Sequence, residues 1–212
     1  MEYERLRDFI ISYIHDDEGI LGDIYSEAIK TGVPVIRPEM KDLLRTLIVM
    51  NRPEKILEIG TAVGYSSLFI ADILKSGFSI DTFELDPDRI RIAKGNISKM
   101  GYENEIHIHE GDAAALLKDM DRKYDFVFID AAKAQYMIYL EEVMRLTHPG
   151  SVIVTDNIFT DGEILESHFL VEKRYRTIHD RMREYIYKIK NDDRLETAVL
   201  SVADGAAVSV VK

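Results

Sequence analysis

The 212-residue sequence carries 27 Lys and Arg against 38 Asp and Glu, a formal net charge of −11, with 46% hydrophobic residues and no cysteine. The apolar content is enough for a sizeable core, and the lack of cysteine excludes a disulfide framework, a thiolate metal site and a cysteine nucleophile. The acidic balance argues against broad, nonspecific nucleic-acid binding while leaving room for a local basic patch. The charged start M-E-Y-E-R-L-R-D-F-I lacks a signal-peptide core, and no apolar run approaches the ~18 residues of a membrane span, so a cytoplasmic protein without a membrane partner is expected.

Residues 1–32 read as two amphipathic helices. Leu6, Phe9, Ile10, Tyr13 and Ile14 share one face, and Ile20, Leu21, Ile24, Tyr25, Ala28 and Ile29 share another. Core covering is the expected use, with a partner subunit, and hence a homodimer, as the alternative. A V-P-V-I loop leads to Pro38, suited to a first helical turn, and a helix over 39–50. From there strands and helices alternate. Strands are expected at 55–59, 79–84, 105–109, 124–129 and 151–155, with helices starting at Tyr65, at 87–100, after Asp112, and at 133–146. That alternation predicts an α/β fold with a doubly wound parallel sheet. Residues 163–190 read as a long, broken helical region, and strands at 197–202 and 206–211 flank an Asp-Gly turn as a closing antiparallel hairpin.

The stretch K-I-L-E-I-G-T-A-V-G-Y-S-S, residues 55–67, is a strand, a glycine turn and a helix start, a place where backbone N–H groups face a ligand. A dinucleotide fold wants G-x-G-x-x-G. Here Thr61 stands at the second glycine and Glu58 points an acid toward the turn, which suits a cationic ligand such as S-adenosylmethionine, with its sulfonium and ammonium, better than a pyrophosphate. A nucleotide-binding dehydrogenase or a noncatalytic binding module on the same fold is the competing class; the Thr61 substitution and the two-strand ending speak against it.

Ligands of open α/β sheets sit at the carboxyl ends of the strands. Those ends deliver Gly60 to Ser66, Glu84 to Asp86, Glu110 to Ala113, Asp130 to Lys133, and Asp156-Asn157. Glu84, 24 residues past Gly60, is placed to meet an adenosine ribose; its other reading, a helix N-terminal acid, is better filled by Asp86. Asp112 reads as a helix N-cap, a contact with an adenine amino group, or both. Asp130, Asp156 and Asn157 end what should be neighbouring strands, and three hard oxygen donors suit Mg²⁺ or Ca²⁺. Lys133, beside an apolar strand and that cation, is either the proton acceptor for a substrate hydroxyl or a solvated lysine on a first helical turn. The six histidines show no convincing cluster; His107 and His109 share a strand face without a third ligand, and no role is assigned to them.

E-I-G-T-A-V-G-Y-S, F-I-D-A-A-K at 128–133, T-D-N at 155–157, the V-P-V-I loop and A-D-G-A-A-V-S together resemble the Mg²⁺-dependent O-methyltransferases of the catechol and caffeoyl-CoA group, over roughly residues 33–212. The resemblance implies a class I, Rossmann-like methyltransferase domain over 51–212 with residues 1–50 as a helical cap. It implies that Asp130, Asp156 and Asn157 hold the metal and that Lys133 is the base. It further implies that Ile36, Ser66, Glu84, Ala113 and Asp130 contact S-adenosylmethionine, beside Glu58, Gly60 and Asp112 from the residue reading. Ala203 departs from the glycine usual there, in a hairpin with no chemical role expected.

Within that group, A-A-K-A-Q-Y and T-D-N more closely resemble the bacterial tRNA 5-hydroxyuridine methyltransferases, whose acceptor presents adjacent oxygens as a catechol does. Residues 171–190 hold seven Lys or Arg against three acids, +4 in a chain otherwise at −15 (−11 − 4), with Tyr175, Tyr185 and Tyr187 interspersed. That suits phosphate contact with base stacking; a solvated helix face with inward tyrosines is the plainer alternative. The leading expectation is methyl transfer to 5-hydroxyuridine in a tRNA anticodon loop, and the runner-up is a small catechol- or caffeoyl-type acceptor.

Overall fold

A computed structural model describes residues 2–212. Its elements in chain order are α1 (Glu2–Ile11), α2 (Gly19–Thr31), α3 (Pro38–Asn51), β1 (Lys55–Ile59), α4 (Tyr65–Leu74), β2 (Ser79–Glu84), α5 (Pro87–Met100), β3 (Ile106–Glu110), α6 (Ala113–Leu116), β4 (Tyr124–Ile129), α7 (Tyr136–Leu146), β5 (Thr147–Thr155), α8 (Arg176–Asn191), β6 (Leu195–Leu200) and β7 (Ala206–Val211). One seven-stranded sheet has the order β3-β2-β1-β4-β5-β7-β6. The first five strands run parallel, and β7 pairs antiparallel with both β5 and β6.

Successive side chains of a strand face opposite sides of a sheet, and the central strands are apolar on both. Ile56, Phe126, Phe128, Val152 and Val154 pack into one core with α2 to α5. Leu57, Ile59, Val127, Ile129 and Ile153 pack into a second core with α6 to α8. The chain is a three-layer α/β/α sandwich, as buried parallel strands require. The sheet reverses its winding between β1 and β4, where such folds open a crevice at the carboxyl ends of the strands.

Four expectations need correction. The first helix does not cover the sheet: its Leu6, Phe9 and Ile10 are 46–60% exposed, whereas Leu21, Ile24 and Ala28 of α2 are buried. Between the two helices Asp17 takes an ion pair from buried Lys41 and a hydrogen bond from the Tyr65 hydroxyl, so that turn, together with the Arg7–Glu39 ion pair of α1, anchors the N-terminal segment. β5 begins at Thr147, not residue 151, because its first residues pair with Tyr124 before a register shift. The region 163–190 is helical only from Arg176, after a 3₁₀ turn (Thr160–Leu165) and an irregular stretch. The hairpin joins Leu200 to Ala206 through a five-residue connection, with Ala203 at φ +51° and Gly205 at φ +84°. A Cβ at Gly205 would lie 2.4 Å from the Phe159 ring, so this turn is packed tightly against the segment after β5.

Candidate active site

β1 ends at Gly60, whose φ is +109° and whose missing Cβ would stand 2.0 Å from the Asp130 carbonyl oxygen. Only glycine lets β1 and β4 come this close at their ends. The next residues do not offer free amides as expected. The Thr61 N–H donates to the Phe83 carbonyl, and the Ala62 N–H donates to Glu84 Oε2 at 2.9 Å. The turn is braced by β2 rather than held open.

A cavity of about 610 Å³ lies over these strand ends. Of the residues expected to hold the cofactor, the metal or the substrate proton, all but Glu58 and Lys133 line it: Ile36, Gly60, Ser66, Glu84, Asp112, Ala113, Asp130, Asp156 and Asn157. Its size suits one nucleoside-sized ligand.

Glu58 is placed differently from the expectation. It shares the strand face of Ile56 and lies wholly buried beneath the first turn of α4, where the hydroxyls of Ser66, Ser67 and Thr82 donate to its carboxylate. Burial still pushes its pKa up to about 7 against those donors. Its carboxylate lies behind Ser66, which it holds by a hydrogen bond, and does not line the cavity.

Glu84 accepts from the Leu85 and Asp86 N–H groups through Oε1 at 2.8 and 3.0 Å. With the Ala62 bond this fixes the carboxylate at the cavity rim and leaves lone-pair capacity for a further donor. Asp86 is the N-cap of α5, accepting from Asp88 and Arg89. Asp112 caps α6 through Ala114 N–H at 2.9 Å while facing the cavity.

Across the cavity, Asp130 and Asp156 end adjacent strands, with the Asp130 N–H donating to Ile59 and the Asp156 N–H to Ile129. The Asn157 side-chain amide donates to Asp130 Oδ1 at 2.9 Å, and its backbone N–H donates to Asp156 Oδ1 at 2.7 Å. Asn157 takes the left-handed conformation, φ +58°, that asparagine tolerates. Burial raises the Asp130 carboxyl, with the Asn157 amide and the Lys133 charge opposing it. Burial, and then the charge of Asp130, push Asp156 up to about 7; Asp204 adds to the rise and Arg37 opposes it.

Lys133 sits in a 3₁₀ turn (Lys133–Gln135) beside the cavity wall, with its ammonium 3.6 Å from Asp204 of the β6–β7 connection. Two residues absent from the sequence reading therefore matter here. Arg37, at the N-cap of α3, lines the cavity. Asp204, only 6% exposed, brings a carboxylate to Lys133 from the hairpin thought to be without a role. The signals were present, an Arg inside the V-P-V-I-R-P loop and an acid in A-D-G, but only the pairing of β7 on β5 tells where Asp204 arrives.

Of the basic stretch 171–190, most cations are spent within the chain. Arg176, Arg181, Arg183 and Lys190 donate to carbonyls of Val171, Ala134, Ile164 and Thr197, and Lys188 pairs with Asp192. Tyr185 is not available for stacking: it is buried, hydrogen-bonded to Thr155 and set edge-on to Tyr136. Tyr187 is exposed, and Arg174 lies over the Tyr175 ring.

The donor set fits a divalent cation. The buried carboxylate of Asp156 and the half-buried one of Asp130, with the Asn157 side-chain amide beside them, form an oxygen-bearing set that a hard ion satisfies. The pH dependence of stability follows. Glu58 and Asp156 have folded pKa values above their unfolded ones, so the folded chain holds protons that the unfolded chain loses. Stability of the cation-free protein is expected to fall as pH rises from about 5 to 7 and to level off above, measured by urea denaturation. Mg²⁺ should recover stability at pH 8 and not at pH 5.

The O-methyltransferase family model matches residues 15–211. A catechol O-methyltransferase from Niastella koreensis is 32% identical over 160 residues, covering 73% of this chain and 72% of that protein. Caffeoyl-CoA O-methyltransferase 2 of Zea mays is 30% identical over 172 residues, covering 78% and 65%. Among solved structures, an O-methyltransferase from Bacillus cereus in complex with SAH superposes with a TM-score of 0.84 at 25% identity, covering 98% of this chain and 97% of that one. A candidate caffeoyl-CoA O-methyltransferase from Staphylococcus aureus gives 0.88 at 30%, covering 97% and 98%.

Proposed function

The chain belongs to the O-methyltransferase family, and on that footing we propose that it transfers a methyl group from S-adenosylmethionine to one of two adjacent oxygens of a small catechol-type acceptor, with a divalent cation such as Mg²⁺ held by Asp130, Asp156 and Asn157. The observation that carries this reading is the convergence of the three oxygen donors on the same cavity as Gly60, Ser66, Glu84 and Ala113.

Each residue has a task in that reading. Glu84 accepts from the cofactor's ribose hydroxyls, held in place by three backbone amides. Gly60, Ile36 and Ala113 give close, largely apolar walls, and Asp112 faces the adenine end. Glu58 keeps Ser66 aimed at the cofactor. When bound, the sulfonium supplies an electrophilic methyl group, and the cation supplies a charge that favours the ionised acceptor hydroxyl. Lys133 would take the hydroxyl proton in its neutral amine form, after its ammonium has lost a proton to solvent, and Asp204 fixes where its nitrogen points. Tyr136 donates to the Asp156 carbonyl at 3.2 Å and holds that strand end rigid. Changing Asp204 to Asn is expected to lower kcat about 10-fold with little effect on cofactor affinity, read from steady-state kinetics and cofactor titration.

A second reading, 5-hydroxyuridine in tRNA, is favoured by Arg174 over Tyr175 and by exposed Tyr187 in the +4 segment. We rank it second because the neighbouring cations are engaged within the chain. The test offers a catechol and hydroxylated tRNA in parallel, with cofactor and Mg²⁺. Methylated catechol with unmodified tRNA supports the first reading; 5-methoxyuridine with inert catechol replaces it with the second. Arg174→Ala is expected to leave catechol turnover unchanged and to weaken methylation of tRNA only if the second reading holds. The apolar face of α1, with Leu6, Phe9 and Ile10, is the surface we assign to a homodimer, checked by light scattering.

A further inference from the structure

Outside the cavity, the fold assembles a cluster that the sequence spacing conceals. His168 lies in the irregular stretch before α8, while His179 and Asp180 lie in the first turns of that helix. One ligand atom from each side chain falls within 4.8 Å of the other two. Both His168 Nδ1 and His179 Nδ1 are 2.9 Å from the same oxygen, Asp180 Oδ1.

The two imidazoles are not equivalent. His179 is 2% exposed, and its Nε2 lies 3.1 Å from the Glu166 carbonyl oxygen. A carbonyl only accepts, so Nε2 carries the proton, and in the neutral ring Nδ1 presents a lone pair to the cluster. Lone pair then faces carboxylate, which is repulsive unless a proton or a cation lies between them. An imidazole held through its far nitrogen by a backbone carbonyl is the arrangement that orients a histidine toward a metal. His168 and Asp180 are both partly open to solvent, which leaves an accessible side for a water ligand.

We propose that His168, His179 and Asp180 form a second metal site, taking Zn²⁺ through two nitrogens and one oxygen with water in the fourth position. Its donors set it apart from the oxygen-only set at the strand ends: imidazole nitrogens suit a borderline ion, carboxylate and amide oxygens a hard one. An ion at this place ties the segment carrying Glu166 and His168 to the start of α8. That helix reaches back to the Lys133 turn through the Arg181 guanidinium, which donates to the Ala134 carbonyl at 2.7 Å. The ion is therefore a staple on the rim of the acceptor side, not a participant in methyl transfer.

Co²⁺ is the probe, because in four-coordinate nitrogen and oxygen sites it absorbs in the visible. It is titrated into the full-length chain and into His168→Ala, Asp180→Asn and Asp156→Asn, with thermal unfolding followed in parallel under Zn²⁺. The site predicts a visible band, and a Zn²⁺-dependent rise in midpoint, in the unaltered chain and in Asp156→Asn. Both signals should be lost, with affinity down at least 100-fold, in His168→Ala and in Asp180→Asn. Both altered side chains are partly exposed, so folding is expected to survive and is checked by circular dichroism. A band that persists in His168→Ala, a band that vanishes in Asp156→Asn, or no band in the unaltered chain overturns the proposal.

Discussion

Asp156→Asn is expected to lower methyl transfer by more than about 100-fold and to weaken Mg²⁺ binding by at least as much, since even partners one shell removed from a metal commonly cost 10–100-fold. The same change is expected to stabilise the cation-free chain at pH 7.5. Asp156 is buried beside Asp130, and those two causes raise its pKa to about 7, so ionising it costs folding free energy. An asparagine keeps the oxygen that accepts from the Asn157 N–H and removes the charge. A variant more stable than its parent and nearly inactive would mark a side chain kept for chemistry at the expense of stability. Calorimetric Mg²⁺ titration and thermal unfolding measure the two effects separately. Unchanged turnover would remove Asp156 from the site, and a lower midpoint without the cation would remove the electrostatic explanation.

Gly60→Ala is expected to be the most damaging small substitution in the cavity. The new methyl would sit 2.0 Å from the backbone oxygen of Asp130, at a φ of +109° that alanine avoids. Neither strand can withdraw, because β1 and β4 are paired along their length and buried on both faces. The cost should be about 3 kcal/mol or more, and any folded fraction should bind the cofactor poorly because the ends of β1 and β4 are prised apart. Gly95→Ala in α5 is the control. A Cβ there meets nothing within 4 Å, and the change should stabilise by up to about 1 kcal/mol. Urea denaturation separates the two, and equal effects would refute the close-approach argument.

How far these features could be read from sequence differs by element. The parallel core was legible because β1, β4 and the second half of β5 are short apolar runs ended by acids or glycine, and the position of a ligand cavity at their carboxyl ends follows from topology. The direction of Glu58 was also available, since strand alternation puts it on the face of Ile56 rather than at the tip. The start of α8 was not legible: Tyr175 offers no capping side chain, and the preceding stretch is held by Arg176 reaching back to the carbonyls of Phe169 and Val171. Composition alone made residues 171–190 look like a basic surface. Only the fold shows that those side chains tie α8 to its neighbours and that Tyr185 belongs to the core. Asp204 reaches Lys133 only through the placement of the closing strands, and His168 meets His179 and Asp180 only through the path of the irregular stretch before α8, so neither could be read from sequence.

The three strand-end oxygen donors and the cavity they share with the glycine turn are tested together by one crystal, grown with Mn²⁺ and S-adenosylhomocysteine and measured at a wavelength where manganese scatters anomalously. The prediction is a single strong anomalous peak within bonding distance of Asp130, Asp156 and Asn157, with the nucleoside against Gly60 and its ribose on Glu84. A peak elsewhere with these three side chains unligated, or a nucleoside bound outside this cavity, would contradict it.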